Sequence, residues 1–306
     1  MKHVVVVGGA NVDIGGHPNQ KLLDRDSNPG RVRVSVGGVG RNIAHNLRLL
    51  GMPVTFLTAL GQDAHGDRVA AECALAGMDC ERILRVSEEP TSTYLFIADE
   101  RGDMRLAVSD MEICRFISPD YLAGQMDVLG RADAVVLDAN LPEESIRFLA
   151  EHCQAPIFGD PVSVRKAERM LPVLSRLYAL KPNRQEAEML SGVPIRSEED
   201  LPRAAEALLA RGLKSVFISL GAEGVYAADG ACTGRIPCCP AQPVNMTGAG
   251  DAMMAGMVWG FLRGESLPDI ARLGAAAAAL AVEGAGTVNT ELSPERLLAR
   301  AKMPAV

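Results

Sequence analysis

Four consecutive valines, Val4 to Val7, stand near the start of the chain and run into Gly8-Gly9. An unbroken β-branched run closed by a turn signal predicts a strand buried on both faces, as in a parallel sheet. Residues 15–36 differ. Gly, Pro, Asn and Asp are followed by Arg31-Val32-Arg33-Val34-Ser35-Val36, whose strict alternation predicts a half-exposed strand. Gly38 to Leu50 reads as a helix with Ile43, Leu47 and Leu50 on one face; a strand at Val54 to Leu60 and a helix at Ala64 to Ala76 come next. Alternation returns at 92–98 and 104–109, around Asp99-Glu100-Arg101-Gly102-Asp103, as in a hairpin. From 133 onward strands (133–138, 156–159, 176–180, 214–219) interleave with helices (143–152, 184–191, 198–211). A hairpin (224–228, 232–236) and helices at 251–262, 267–283 and 293–301 close the chain. Strands alternating with helices predict an α/β fold with a parallel sheet covered on both faces. The segments 15–36 and 92–109 do not fit that sheet and are assigned to a small β layer acting as a lid. No internal repeat and no low-complexity linker is present.

Composition narrows the classes. The 306 residues suit one large α/β domain or two small ones, and 48% hydrophobic residues suffice for a sizeable core. A net charge of −7 argues against a broad basic surface for nucleic acid. Seven scattered cysteines without a CxxC pair argue against a zinc site and for reduced thiols, hence a cytoplasmic protein. No signal-peptide pattern is seen, and the apolar run Ala275 to Ala279 is too short to span a membrane.

Candidate chemistry lies where strands end and helices begin, the usual ligand position in open α/β sheets. Asn11-Val12-Asp13 is either an Asx-turn or a carboxylate that accepts hydrogen bonds from a polyol. Gly37-Gly38-Val39-Gly40-Arg41-Asn42 permits close backbone approach but lacks the G-x-G-x-x-G spacing of a dinucleotide site. Asn183 to Glu186 is either a capping box or a pair that orients a hydrated Mg²⁺ on a nucleotide. Ser219 to Gly224 is a turn that could hold nucleotide phosphates. The most informative run is Asn245-Met246-Thr247-Gly248-Ala249-Gly250-Asp251. It reads either as a capped helix after a glycine turn, or as an anion hole with a carboxylate placed to take a proton from a hydroxyl.

Together and in this order, over nearly the whole chain, these clusters resemble the ribokinase-like (PfkB) family of carbohydrate and nucleoside kinases. Gly37 to Asn42 resembles its N-terminal signature, Asn183 to Glu186 its NxxE motif, and Thr247 to Asp251 its C-terminal signature. The resemblance implies a single domain over 1–306, a three-layer α/β/α sandwich with a mostly parallel central sheet and a β-sheet lid. It implies Asp251 as catalytic base and Gly248, Ala249 and Gly250 as anion hole. Asp13, Gly37, Gly38 and Asn42 would bind substrate, with Asn11, Thr93, Asp110 and Asn140. Asn183, Glu186, Ser219, Gly221 and Gly224 would bind ATP, with Mg²⁺ held through Glu186 and water. A K⁺ site is implied at Asn245, Thr247, Ala281, Gly284, Gly286 and Thr290, although Asn245 stands where the family has Asp. Within the family, Asp24 to Gly30, the GGVGRNIAHNL run and Val244 to Gly256 are most similar to bacterial pseudouridine kinases, with Asp26, Ser27, Asn28, Thr93 and Asp110 as acceptors for the base. A homodimer through the lid is also implied, since an alternating lid strand has an edge to cover. The rival readings are a kinase of uridine, adenosine or ribose, a nucleoside-binding protein without turnover, and a dehydrogenase. The last leaves the 245–251 run unexplained.

Overall fold

The computed structural model describes residues 2–304. Its strands, numbered along the chain, are β1 (Val4–Val7), β2 (Asn11–Pro18), β3 (Gly30–Gly37), β4 (Val54–Leu57), β5 (Ala59–Gly61), β6 (Leu84–Val86), β7 (Thr93–Ala98), β8 (Met104–Asp110), β9 (Ala134–Asp138), β10 (Ile157–Asp160), β11 (Ala179–Leu180), β12 (Ser215–Ser219), β13 (Val225–Asp229) and β14 (Thr233–Ile236).

Strand β1 lies inside an eight-stranded sheet of order β14-β13-β12-β11-β10-β9-β1-β4. It pairs in parallel with β4 and β9, and only β13 runs against the other strands, antiparallel to both β12 and β14. Its side chains alternate between two cores. Val4 and Val6 join a cluster with Ile43, Leu47, Met254 and Ala276; Val5 and Val7 join one with Ile146, Leu149, Leu190 and Leu208. Helices Val39–Leu49, Ala249–Leu262 and Leu267–Val282 therefore cover one face, and Glu143–His152, Arg184–Ser191 and Asp200–Leu209 the other. This is the three-layer α/β/α sandwich with a mostly parallel central sheet that the resemblance implies.

The alanine run at 275–279 has a packing reason. A Cβ at Gly256 would stand 2.7 Å from the Leu273 carbonyl, so helices 249–262 and 267–282 approach closely across small residues. Among the described residues no helix is long and apolar enough to cross a membrane.

The segments expected to act as a lid form a separate four-stranded sheet, the lid sheet, of order β3-β2-β7-β8. The stretch 11–18 is one continuous strand paired with both β3 and β7, so Asn11 to Asp13 is not an Asx-turn. The run 54–60 is not one strand: β4 enters the large sheet and β5 pairs with β6 instead. Residues 168–176 form a 3₁₀ helix around Pro172, which shortens the strand expected at 176–180 to β11. Between β8 and β9, short helices over 112–129 carry no strong period and were not anticipated.

Candidate active site

The chain leaves β1 toward β4 on one side and later fills β9 and β10 on the other, so the strand order reverses between β1 and β9. The carboxyl ends of the strands at such a reversal are the usual place of a ligand crevice. Gly8-Gly9 follows β1, Asp138 ends β9, Asp160 ends β10 and Lys181 follows β11.

Helix 249–262 points its N-terminus toward these strand ends. Gly248 caps it in the left-handed region (φ 85°), and a Cβ there would collide with the Thr287 carbonyl. The first intrahelical bond runs from Ala252 N–H to the Gly248 carbonyl, leaving the N–H groups of Ala249, Gly250 and Asp251 ahead of it as donors for an anion. Asp251 is 9% exposed, and Asn42 Nδ2 donates to its Oδ2 at 2.7 Å. Burial pushes the Asp251 carboxyl up to about 7, and the Asp160 charge adds to the rise; Asn42 and Lys181 pull it down. A carboxylate so placed is poised to accept a proton near neutral pH.

Lys181 is the buried counter-charge. Its Nζ lies 3.2 Å from Asp160 Oδ2, and both side chains are 7% exposed. Burial opposes its charge, yet Asp160, Glu186 and Asp251 raise its pKa overall. Asp138 is pushed up to about 6 by burial, even though it accepts N–H bonds from Gly9 (2.9 Å) and Asn140 (2.8 Å).

The residues expected to bind substrate lie at the base of the lid sheet. Asn11 Nδ2 donates to Asp13 Oδ1 at 2.7 Å, and burial raises the Asp13 carboxyl against that bond and the Arg41 charge. At Gly37 a Cβ would crowd the Asp13 carboxylate, so the glycine leaves that side chain its present place. Gly38, at φ 99°, lies against the backbone of Gly9 and Ala10. Asn42 thus links the Gly37–Asn42 turn, which adjoins Asp13, to Asp251.

A family model described as pfkB family carbohydrate kinase matches residues 1–294. The chain belongs to the PfkB family. It is a phosphotransferase with an alcohol group as acceptor. It is 36% identical to the pseudouridine kinase of Escherichia coli K12 over 293 residues, which cover 95% of this chain and 94% of that one. It is also 36% identical to an uncharacterized sugar kinase of the same organism, YeiI, over 99% of this chain and 84% of that protein. The structure of Arabidopsis thaliana ribokinase complexed with ribose and ATP superposes with a TM-score of 0.86, at 25% identity and 99% coverage of both chains.

The remaining PfkB motif positions divide. Asn183 and Glu186 form a reciprocal capping box, with Asn183 N–H to Glu186 Oε2 at 2.8 Å and Glu186 N–H to Asn183 Oδ1 at 2.9 Å. Glu186 is also buried, and its carboxyl is raised by burial and by Asp160, so the cap belongs to the same charged cluster. Ser219 lies beside it, its N–H donating to the Pro182 carbonyl at 2.8 Å; Gly221 and Gly224 form the following turn, both with positive φ. Asn140 sits beside Gly9, and its Oδ1 accepts from Lys166 Nζ at 2.6 Å.

Thr93 pairs in register with Val12 on one side and Asp110 on the other, which puts both on the lid face opposite Asp13 and Tyr94. The structure does not bring them to Asp13. Asp26 and Asn28 are used within the 19–29 loop: Asp26 Oδ1 accepts from Ser27 N–H, and Asn28 Oδ1 from Leu23 N–H. That loop borders a cavity of about 960 Å³ lined by Val32, Ile97 and Leu106, again on the face opposite Asp13.

Asn245 joins the two loops expected to hold K⁺. Its Nδ2 donates to the Ala285 carbonyl at 3.2 Å and its Oδ1 accepts from Thr247 N–H at 3.0 Å. One partner can only accept and the other only donate, which orients the amide. A neutral side chain that turns an N–H toward a loop carbonyl does not fit a cation bound between them.

Asp138, Asp160, Lys181 and Thr287 were missed as site residues from sequence. The first three share one signal, a charged residue ending or following an apolar strand. Thr287, which contacts Arg41 Nη2 and Asn42 Oδ1 at 3.4 and 3.5 Å, carries none.

Proposed function

We propose that this kinase transfers the γ-phosphoryl group of ATP to the 5′-hydroxyl of pseudouridine. The observation that supports the reading is the Asn42–Asp251 contact, which ties the carboxylate at the helix N-terminus to the turn that adjoins Asp13. In the reaction Asp251 takes the hydroxyl proton as the substrate oxygen bonds to phosphorus. The bond to the departing ADP oxygen breaks, and the Ala249–Asp251 N–H groups face the transferring anion. Asp13 accepts from the ribose 2′- and 3′-hydroxyls. Among the described residues no group of three or more His, Cys, Asp or Glu side chains could hold a metal. Asn183 and Glu186 would hold a nucleotide-borne Mg²⁺ through water, and the ion would supply neutralisation of phosphate charge.

Support for the base is the likeness to the E. coli pseudouridine kinase; the equal identity to YeiI keeps a sugar or another nucleoside as the second reading. Pseudouridine carries a ring N–H that uridine lacks, and a site that pairs it rejects uridine strongly. Assayed with ATP and Mg²⁺ against pseudouridine, uridine, adenosine and ribose, the enzyme is expected to favour pseudouridine over uridine by at least about 100-fold in kcat/KM. A preference for ribose or adenosine overturns the substrate assignment and leaves the kinase intact.

No step is routed through K⁺, because the Asn245 amide already bridges its loops. Rates in potassium and in tetramethylammonium salts are expected to agree within about twofold, since the bridge consists of ordinary hydrogen bonds. A tenfold activation by K⁺ contradicts this.

The lid face opposite Asp13 exposes Val32, Val34, Leu106 and Val108. Such a face suits pairing with a second copy. Sedimentation equilibrium is expected to show a dimer, converted to monomer by Val32→Glu with Leu106→Glu. A monomeric parent protein removes the dimer from the account.

A further inference from the structure

We propose that Phe96, with Tyr94 beside it, forms the platform on which the base of the substrate stacks, and that this part of the lid separates nucleosides from free sugars. The inference rests on the nucleoside reading above. Register supplies the placement. Asp13 pairs with Tyr94 and Gly15 with Phe96, so all four positions share one lid face. The Phe96 ring reaches across to β2 and its tip lies over Gly15, where a Cβ would collide with it. Gly15 is therefore the gap that lets the ring lie across the sheet. Tyr94 is 6.1 Å from Phe96 between ring centroids at a 36° tilt, and His17 meets Phe96 edge-on at 5.7 Å. Two residues along a strand advance about 6–7 Å. Phe96 thus stands beyond Asp13 by the reach of a base attached to a ribose whose diol that carboxylate holds.

Core packing does not account for these rings. Phe56, Phe158 and Phe217 are fully buried in the sandwich, whereas Tyr94 and Phe96 are only partly buried on the Asp13 side. The opposite lid face carries aliphatic side chains. A free sugar ends before it reaches Phe96; a nucleoside does not. Stacking of a base on an aromatic ring corresponds to roughly 10–100-fold in affinity and tolerates different bases. The platform therefore selects for the presence of a base and leaves its identity to polar groups.

The test compares the parent enzyme, Phe96→Leu and Phe96→Tyr with pseudouridine, uridine and free ribose, the last as substrate or competing inhibitor. Phe96→Leu is expected to raise KM for the nucleosides roughly 10–100-fold, with kcat and the ribose constant little changed, and Phe96→Tyr to restore the parent KM. An unchanged nucleoside KM in Phe96→Leu overturns the platform while the nucleoside reading stands. Equal losses for nucleoside and ribose also overturn it, because they mean a damaged lid. A parent enzyme that phosphorylates ribose and no nucleoside overturns both.

Discussion

Asp251→Asn is expected to lower kcat by about 10²–10⁴-fold, the range a positioned general base contributes, while nucleoside affinity stays within a few-fold. The amide keeps the shape of the side chain and its contact with Asn42, but it cannot take the proton. Residual turnover above a few per cent would remove Asp251 from the role of base. The parent enzyme supplies a second check. With the free carboxyl at about 7, kcat/KM is expected to rise roughly tenfold per pH unit below that value and level off above it. The same shift sets stability. The folded protein holds this carboxyl above its ordinary 3.8, so the fold favours the protonated form. The stability that the group contributes is full below about pH 4 and is lost as pH rises through about 7. The asparagine variant should therefore be inactive yet more stable than the parent at pH 8, by on the order of 2–4 kcal/mol. Denaturant unfolding at pH 4 and pH 8 reads the difference; a gain of equal size at both assigns it to another cause.

Lys181→Met should cost the most stability. Asp160, Glu186 and Asp251 all raise the Lys181 pKa, and no water-exposed route screens the cluster, since Lys181 is 5% exposed. Removing one member of a buried pair typically costs about 3–5 kcal/mol, because the other charge stays buried without a partner. A fall in Tm on the order of 5–10 °C follows for a chain of this size. Part of the penalty is relieved by protonation. Lys181 lowers the Asp251 pKa, so without it the rise in kcat/KM should move to higher pH. This movement separates an electrostatic role from a packing role. An unmoved profile together with unchanged stability would show that the carboxylates do not depend on Lys181. Gly250 belongs to the same design: a Cβ there would stand 3.2 Å from Lys181 Nζ, so the helix start and the lysine share one space.

Much of the fold is legible in local patterns. The Val4–Val7 run announces its place inside a parallel sheet because burial on both faces leaves no polar position in the strand. The alternating segments announce a half-exposed lid because period two is the mark of one wet face. The Thr247–Asp251 run carries its meaning locally too, since a left-handed glycine, free N–H groups and a carboxylate are adjacent in the chain. Register is not local. Thr93 and Tyr94 are neighbours in sequence, yet pairing with Val12 and Asp13 sends them to opposite faces, and one residue of slip would exchange them.

The layered α/β fold, the family and the position of the carboxylate at the helix start can all be read along the chain, because each rests on periodicity or on adjacent residues. The folded arrangement is what brings Asp138, Asp160 and Lys181, carried at or just past the ends of three different strands, together with Asp251 and Glu186 in one buried set of charges. It alone turned the Asn245 amide into a bridge between two loops, and set Phe96 over Gly15. These contacts join residues tens to hundreds of positions apart. Their energies depend on burial and distance, which exist only once the sheet has assembled.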